Sequence, residues 1–297
     1  MKITVIINNY NYQNYIEEAL QSVLKQARKP DQVIVVDDGS TDDSLSCMKK
    51  LLPLFNNAKL IAKKNGGQLS TFNAALPEVE GDVIAFLDSD DWYDKGYLGE
   101  VETLFRNNEI DYLFSSFRQV KNDGSVKESL YQGKIGKQYL RTLVLHKWFG
   151  VPTSAISFTA NALRQILPYK EESDWKTRAD DVLVFSLALL GFEGSYGEKV
   201  FVNYRIHGDN NFFLKKTSLD TKEDHFFATK RLLMSRGKEV LTLPAASRKQ
   251  LFEEELHSAI ETRTYNWKEF SNIMIALNLS FRQHLWSLIK VLVGTAQ

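Results

Sequence analysis

Short runs of apolar residues alternate, in the first part of the chain, with longer segments in which apolar residues recur every three or four positions. The apolar runs predict strands covered on both faces of a sheet, and they lie at residues 2–8, 32–36, 58–63 and 83–87. The periodic segments predict helices with one buried face, and they lie at residues 14–26, 42–52 and 69–79. This repeated β-α-β order predicts an α/β fold with a parallel or mixed sheet.

The hydrophobic pattern is less regular after residue 92 and becomes purely helical after residue 215. The elements that it predicts before residue 215 are a helix over 94–108, a strand over 111–118, a hairpin turn over 121–125, a helix over 137–147, a strand over 154–159, a buried helix over 182–190 and a strand over 199–206. Helical segments without strands follow at 221–236, 245–264 and 267–293. They predict a helical appendage to the sheet domain.

Composition and charge narrow the class of protein. The chain has 297 residues, of which 43% are hydrophobic and 25% charged, as in an ordinary globular protein. Lysine plus arginine equals aspartate plus glutamate at 37 each, so no bulk field attracts nucleic acid or an anionic membrane. The single cysteine, Cys47, and a first strand that begins near residue 2 in place of a signal peptide favour a cytoplasmic location. The sequence contains no span of about twenty apolar residues, so it predicts no transmembrane helix.

Three carboxylates stand directly after the apolar run at 83–87. They are Asp88, Asp90 and Asp91. The carboxyl end of such a strand is the sheet edge where ligands usually bind in α/β proteins. Because these charges repel one another and carboxylate oxygen is a hard ligand, the motif favours Mg²⁺ or Mn²⁺. The alternative, which the motif alone leaves open, is a turn followed by a helix cap.

Two more polar loops are predicted at the same edge of the sheet, and they contain Tyr10 and Asp38. An aromatic ring, a hydrogen-bond acceptor and a cation site together are what a nucleotide needs for its base and its diphosphate. The chain has no glycine-rich phosphate loop of the Walker or dinucleotide-binding kind. The predicted nucleotide site therefore depends on a metal ion to hold the diphosphate.

Six motifs, in this order, resemble glycosyltransferase family 2, whose members have the GT-A fold. They are Asn9-Tyr10-Asn11, the segment 35–42, Asn65-Gly66-Gly67-Gln68, the segment 87–91, Asp180-Asp181 and the segment 204–210. The resemblance covers roughly residues 2–212. It implies a mixed, mainly parallel sheet flanked by helices over 1–214, with a nucleotide-binding half at 1–118, an acceptor-side half at 119–214 and a helical C-terminal region at 215–297.

The resemblance also implies roles for individual residues. The donor contacts would be Asn8, Tyr10, Asp38, Asn65, Gly66, Asp88 and Ser89, with Tyr10 and Asp38 on the uracil. Asp90, Asp91 and His207 would hold the metal ion or the diphosphate. Asp181 would be the general base, and Asp180 would steer the acceptor or cap the helix. Asn8 replaces a usual proline, and Phe72 replaces an arginine found in many members, so donor identity cannot be taken from arginine-bearing relatives.

The implied activity is that of an inverting glycosyltransferase that depends on Mn²⁺ or Mg²⁺ and uses a nucleotide sugar, with a UDP-sugar as the expected donor. The expected acceptor is a hydroxyl of a glycan or a lipid-linked acceptor in surface polysaccharide synthesis. A nucleotidyltransferase of similar architecture and a non-catalytic nucleotide-sugar binder are the alternatives. The apolar face of residues 281–293 predicts packing against a second subunit or peripheral contact with the inner face of a membrane.

Overall fold

A computed structural model of the protein describes residues 1–208, 219–237 and 240–279. The strands are β1 (Ile3–Asn9), β2 (Gln32–Asp37), β3 (Ala58–Ala62), β4 (Val83–Asp88), β5 (Trp92–Tyr93), β6 (Tyr112–Lys121), β7 (Val126–Ser129), β8 (Lys134–Ile135), β9 (Ile156–Thr159) and β10 (Gly194–Ile206). The helices are α1 (Ile16–Leu24), α2 (Ser44–Leu51), α3 (Gln68–Ala75), α4 (Tyr97–Asn107), α5 (Tyr139–Leu145), α6 (Ala160–Ile166), α7 (Ala179–Leu190), α8 (Leu219–Gly237), α9 (Ala245–Glu261) and α10 (Trp267–Ala276).

The strands form one mixed sheet in the order β3-β2-β1-β4-β9-β6-β10-β5, with β7 paired to β6 and β8 to β10. The first four strands of this order run parallel, whereas β9 is antiparallel to both of its neighbours. The apolar residues of β1, β2 and β4 are almost completely buried, as expected when helices cover both faces of a sheet. The predicted α/β fold with a mixed sheet and C-terminal helices is confirmed.

The register of the central strands brings the predicted polar loops to one edge. Asn8 is paired with Asp88 across β1 and β4, and Asn9 is paired with Asp37 across β1 and β2. Because the three strands are parallel and end at the same level, the loops that follow them are neighbours. The predicted convergence of these loops is therefore present in the fold.

Several elements differ from the prediction. The short strands β5 and β8 were not predicted, α7 begins at Ala179 and not at residue 182, and α10 ends at Ala276, inside the predicted helix over 267–293. Helix α6 follows β9 directly and was not predicted; the Thr159 side chain accepts a hydrogen bond from the backbone of Ala162 and so caps its first turn. Strand β10 begins at Gly194, five residues before the predicted start, in a segment of small and polar residues without an apolar run. A side chain at Gly194 would meet the ring of Tyr112 at 2.1 Å, so only glycine fits beside that ring.

The C-terminal helices pack in two places. Ala228, Leu232 and Leu233 of α8 are buried in the main core with the sheet. A second buried cluster joins α5, α9 and α10, and its members include Leu140, Phe252, Leu256, Phe270 and Ile273. Among the described helices none is long and apolar enough to cross a membrane. The predicted contact helix at 281–293 lies outside the described residues, and the boundary at 214 stays a prediction.

A buried ion pair connects α5 to α9. Arg141 and Glu255 are 1% and 2% exposed at their side chains, with Nε and Oε1 3.1 Å apart. Oε1 of Glu255 also accepts from the backbone N–H of Arg141 at 3.0 Å, at the amino-terminal turn of α5. The guanidinium lies 5.7 Å from the ring centroid of Phe270 on α10. This pair therefore fixes α5 to α9 within the second core cluster.

Replacing Arg141 by methionine should lower the free energy of unfolding by about 3–5 kcal/mol, because it leaves the Glu255 carboxylate buried without its charge partner. Lys137→Ala is the control, since its pair with Glu254 is half-exposed and contributes about 1 kcal/mol or less. Urea denaturation followed by circular dichroism measures both. Equal small losses in the two variants would show that the buried pair does not anchor the helices.

Candidate active site

Three carboxylates lie together at the carboxyl end of β4. Each of Asp88, Asp90 and Asp91 offers an oxygen atom, and these oxygens are all within 4.8 Å of one another. Asp88 is the last residue of the strand, and the backbone N–H of Asp91 donates to the carbonyl oxygen of Asp88 at 3.0 Å. This tight turn holds all three acids at the sheet edge, as the sequence predicts.

Residues from distant parts of the chain contact the carboxylates of Asp90 and Asp91. The Ser154 hydroxyl donates to Oδ2 of Asp91 at 2.5 Å, and the backbone N–H of Arg205 donates to Oδ1 of Asp91 at 2.8 Å. Nε2 of His207 lies 3.0 Å from Oδ2 of Asp90. The His207 ring is buried and packs on the Tyr15 ring with centroids 4.6 Å apart. The cluster is therefore built from β4, the segment before β9 and the end of β10.

Burial and mutual repulsion disfavour the ionised forms of Asp88 and Asp91. Burial, followed by the charge of Asp90, raises the pKa of Asp88 to about 7, although contacts with Asn8, Gln68 and Thr153 oppose the shift. Burial and the charges of Asp90 and Asp88 also raise the pKa of Asp91 well above its usual value. A divalent cation would remove this repulsion, and oxygen ligands suit Mg²⁺ and Mn²⁺. The residues present therefore fit such an ion.

Gln68 connects the carboxylate cluster to the helix that carries the acidic pair. Its Nε2 donates to Oδ1 of Asp88 at 3.0 Å, and its Oε1 accepts from the backbone N–H of Ala179 at 3.0 Å. The backbone N–H of Gln68 also donates to the carbonyl oxygen of Lys176 at 2.9 Å. Gly67, with φ of 92°, permits this approach, because a Cβ atom there would lie 2.3 Å from Cα of Lys176. The start of α7 is thus fixed relative to β4.

Helix α7 begins at Ala179, so the prediction that Asp180 caps it is wrong, and both acids lie in its first turn. The two members of the acidic pair have different surroundings. Asp180 is half-buried, and burial followed by the charge of Asp181 raises the pKa of Asp180 to about 8, with a smaller contribution from Asp88. Asp181 is 1% exposed, and its Oδ2 lies 2.9 Å from both Nη2 of Arg178 and Nε2 of His225. These are ion-pair distances without hydrogen-bond geometry, since neither oxygen has a hydrogen-bond partner among the described residues.

Asp38 is anchored by the loop after β3. Its Oδ1 accepts from Nζ of Lys63 at 2.6 Å and from the backbone N–H of Gly66 at 3.0 Å, and its Oδ2 accepts from the backbone N–H of Gly67 at 2.7 Å. A carboxylate has about four lone-pair sites, so three are occupied and one remains on Oδ2. The predicted contact of Asp38 with a base N–H is compatible with this count, and it stays a prediction.

The other predicted donor residues differ in exposure. Tyr10 is 46% exposed and Asn65 is exposed, so both side chains are accessible to a ligand. Asn8 is half-buried beside Asp88, with an Oδ1 atom that has no hydrogen-bond partner in the described part of the chain. Ser89 is completely buried, main chain included, and its predicted contact with the donor stays a prediction. Phe72 is also buried and packs on Phe86, with ring centroids 4.7 Å apart.

Five residues of the site were not predicted as site residues. They are Gln68, Ser154, Arg178, Arg205 and His225. Gln68 and Arg205 stand inside the motifs quoted above, so a polar side chain within a motif was the available signal for both, and Arg178 stands two residues before Asp180. Arg205 places its guanidinium 4.4 Å from the Trp92 ring centroid, and its Nε donates to the carbonyl oxygen of Asp90 at 2.8 Å. Ser154 and His225 lie in segments without any motif.

Comparison with known proteins identifies relatives of the chain. The model of the family described as glycosyl transferase family 2 matches residues 4–167. An uncharacterised glycosyltransferase of Nostoc sp. is 31% identical over 228 residues, which are 75% of this chain and 70% of that protein. The hyaluronan synthase of Pasteurella multocida is 26% identical over 237 residues, which are 79% of this chain but only 23% of that protein.

A solved structure shares the fold. The S. aureus TarS 1–349 structure in complex with UDP-GlcNAc has a TM-score of 0.66 and 24% sequence identity, and the match covers 93% of this chain and 79% of that chain. TarS is described as a poly(ribitol-phosphate) beta-N-acetylglucosaminyltransferase, and the S. aureus sequence is 33% identical over 135 residues, which are 44% of this chain and 23% of that protein. At this level of identity the structural likeness establishes the GT-A type of fold.

The raised pKa values predict that metal-free protein loses stability as pH rises. Because the pKa values of Asp88 and Asp180 are raised to about 7 and about 8, the folded chain keeps protons that the unfolded chain releases above about pH 4. In EDTA, the Tm of the wild type should therefore fall relative to that of Asp88→Asn between about pH 4 and pH 7. Mn²⁺ should raise the wild-type Tm most at the upper end of this range.

Thermal unfolding at several pH values, with EDTA or Mn²⁺, measures this dependence. A wild-type Tm that rises with pH relative to that of Asp88→Asn in EDTA would contradict the buried, repelling arrangement. A Tm that does not respond to Mn²⁺ at about pH 8 would contradict the cation site.

Proposed function

Because the chain belongs to glycosyltransferase family 2, we propose that it transfers a sugar from a UDP-sugar to an acceptor hydroxyl with inversion at the anomeric carbon. The observation that carries this proposal is the link through Gln68, which bonds both Asp88 of the carboxylate cluster and Ala179 at the start of α7. It supports the proposal because it joins the carboxylate cluster, where a diphosphate-bound cation would bind, to the helix that carries Asp180 and Asp181. Sugar transfer requires both groups of acids, the carboxylate cluster for the leaving group and the acidic pair for the proton of the acceptor hydroxyl.

The donor would lie along the loops after β1, β2 and β4. The exposed Tyr10 ring can stack on a base, and Asp38 keeps one free lone-pair site for a base N–H. A uracil offers both a flat face and one N–H. The structural likeness to TarS in its UDP-GlcNAc complex supports a uridine nucleotide. The proposed further contacts to the donor are Asn8, Asn65, Gly66, Asp88 and Ser89.

Asp90 and Asp91, with Asp88 beside them, would hold Mn²⁺ or Mg²⁺, and His207 would support Asp90 or contact the diphosphate. When bound, the ion neutralises negative charge that develops on the departing diphosphate. The protein's own contribution is to keep the acids in place. Ser154 and the Arg205 backbone orient Asp91, and the buried His207 ring orients Asp90.

In the proposed reaction, a carboxylate takes the proton of the acceptor hydroxyl while that oxygen forms a bond to the anomeric carbon. The bond from this carbon to the diphosphate oxygen breaks on the opposite side, so the configuration inverts and UDP leaves with the electron pair. Asp181 is the proposed base. Burial and the charge of Asp181 raise the pKa of Asp180 to about 8, which favours its protonated form and a role as hydrogen-bond donor to the acceptor.

Other side chains cover Asp181, so an acceptor can reach its carboxylate only if one of them moves. Asp181 is 1% exposed, and Arg178, which is 40% exposed, contacts it from the solvent side of the helix start. We propose that acceptor binding displaces Arg178, so that the acceptor hydroxyl takes its place beside the carboxylate. Asp180 would then orient the acceptor as a hydrogen-bond donor.

The acceptor is proposed to be a glycan or a lipid-linked oligosaccharide in polysaccharide synthesis. Support comes from the names of the relatives, which include a hyaluronan synthase, a chondroitin synthase and TarS. The division into a nucleotide-binding half at 1–118, an acceptor-side half at 119–214 and a helical region from 215 belongs to the same proposal. A cytoplasmic location, dimer formation and peripheral membrane contact stay predictions.

A product assay tests the proposed function directly. Purified protein is incubated with UDP-sugars, Mn²⁺ and candidate glycan acceptors, and the release of UDP, of free sugar and of pyrophosphate is measured. UDP released in step with glycosylated acceptor is the expected result. Pyrophosphate release would instead show a nucleotidyltransferase, and saturable donor binding without any product would show a non-catalytic binder.

Asp181→Asn should lower kcat by about a hundredfold to ten-thousandfold, because general-base assistance is lost, while donor affinity stays nearly unchanged. Asp180→Asn should lower kcat much less, since an amide can still donate a hydrogen bond to the acceptor. Steady-state kinetics and UDP-sugar titrations on both variants measure the two effects. A nearly normal kcat in Asp181→Asn together with an inactive Asp180→Asn would reverse the assignment.

A further inference from the structure

Helix α8 brings a histidine to the acidic pair from outside the family match. The match ends at residue 167, whereas α8 spans Leu219–Gly237. His225, Ala228 and Leu232 are spaced at i, i+3 and i+7, which places them on one face of the helix. Ala228 and Leu232 are buried in the main core, so His225 points from the same face toward the sheet domain.

The imidazole of His225 lies between Asp181 and Trp175. Its Nε2 is 2.9 Å from Oδ2 of Asp181, and its ring meets the Trp175 ring edge-on, with centroids 5.3 Å apart and an interplanar angle of 88°. Trp175 is completely buried, and the His225 side chain is 25% exposed. The ring therefore packs against Trp175 while its Nε2 atom faces Oδ2 of Asp181.

Few neighbouring groups compensate the buried carboxylate of Asp181. A buried carboxylate is costly unless hydrogen bonds or opposite charge compensate it, and Asp181 has only the contacts of Arg178 and His225 on Oδ2 in the described part of the chain. Arg178 precedes α7 in a left-handed conformation with φ of 61°, and its long side chain is 40% exposed. Of the two partners, His225 is the one held by packing.

We infer that His225 is a positioning residue that orients the Asp181 carboxylate toward the acceptor while Arg178 moves aside. The inference rests on the proposed function, because it concerns the base of that reaction. It assigns a role to the C-terminal region that neither the family match nor the six motifs contain. A histidine in this role acts through Asp181 and does not touch the substrate.

Two substitutions separate the nitrogen contact from the packing of the ring. His225→Phe keeps an aromatic ring against Trp175 and removes Nε2, whereas His225→Gln returns an N–H donor at a similar reach. We expect His225→Phe to lower kcat about tenfold or more with an unchanged KM for the donor, because misplacing a catalytic group costs rate and not donor binding. His225→Gln should recover most of the kcat.

A double variant tests whether His225 acts through Asp181. In an Asp181→Asn background, His225→Phe should cause no further loss of kcat, since residues that act as one unit are not additive. Arg231→Ala is the matched control on the same helix. It removes the 2.7 Å ion pair between α8 and Asp174, away from Asp181, and it should leave kcat unchanged. Thermal unfolding confirms that every compared variant is folded.

The outcomes distinguish this inference from the proposed function. A normal kcat in His225→Phe, in an enzyme that Asp181→Asn inactivates, would overturn the positioning role alone. Equal losses in His225→Phe and Arg231→Ala would also overturn it, because the effect would then come from docking of α8. A wild-type protein that releases no UDP from any UDP-sugar, or that keeps its kcat in Asp181→Asn, would overturn the proposed base together with the inference.

Discussion

Repulsion among three carboxylates at the end of one buried strand is the constraint on which the site depends. Asp88, Asp90 and Asp91 lie within 4.8 Å of one another and are mostly shielded from water, so their charges can be kept only with compensation. The protein supplies part of it through the Ser154 hydroxyl, the Arg205 backbone and the His207 ring. The pKa values of Asp88 and Asp91 are nevertheless raised, so these contacts do not fully compensate the negative charges. In the proposed function, a divalent cation would complete the balance and give a diphosphate a site to bind.

The remaining loops are arranged around this cluster by a continuous chain of hydrogen bonds. Asp38 holds the backbone of Gly66 and Gly67, and Gly67 lets the loop approach Lys176. Gln68 then bonds both Asp88 and the first turn of α7. One loop therefore connects the proposed donor side to the proposed acceptor side, and the close contact with the Lys176 backbone requires glycine at position 67. A substitution in this loop would move the acidic pair relative to the cation site.

Local patterns were enough to predict the strands and loops in the first half of the chain. The apolar run at 83–87 and the acids after it define β4 and the cluster, because a buried strand and its polar end have clear signatures in sequence. The partners that complete the site could not be predicted in this way. Ser154 contacts Asp91 from 63 residues away, and His225 contacts Asp181 from 44 residues away along the chain, in segments whose patterns carry no motif. Helix α6 and the first part of β10 were missed because tertiary contacts, such as the packing of Gly194 on Tyr112, determine them.

Calorimetric titration of UDP into the protein with and without Mn²⁺ tests the central claim most directly, namely that the carboxylate cluster binds a cation that in turn binds the diphosphate. Wild type should bind UDP tightly only when Mn²⁺ is present, and Asp90→Asn should lose this dependence along with most of the affinity. Asp123→Asn, in the exposed turn between β6 and β7, is the control and should behave as wild type. Unaltered Mn²⁺-supported UDP binding in Asp90→Asn would contradict the account.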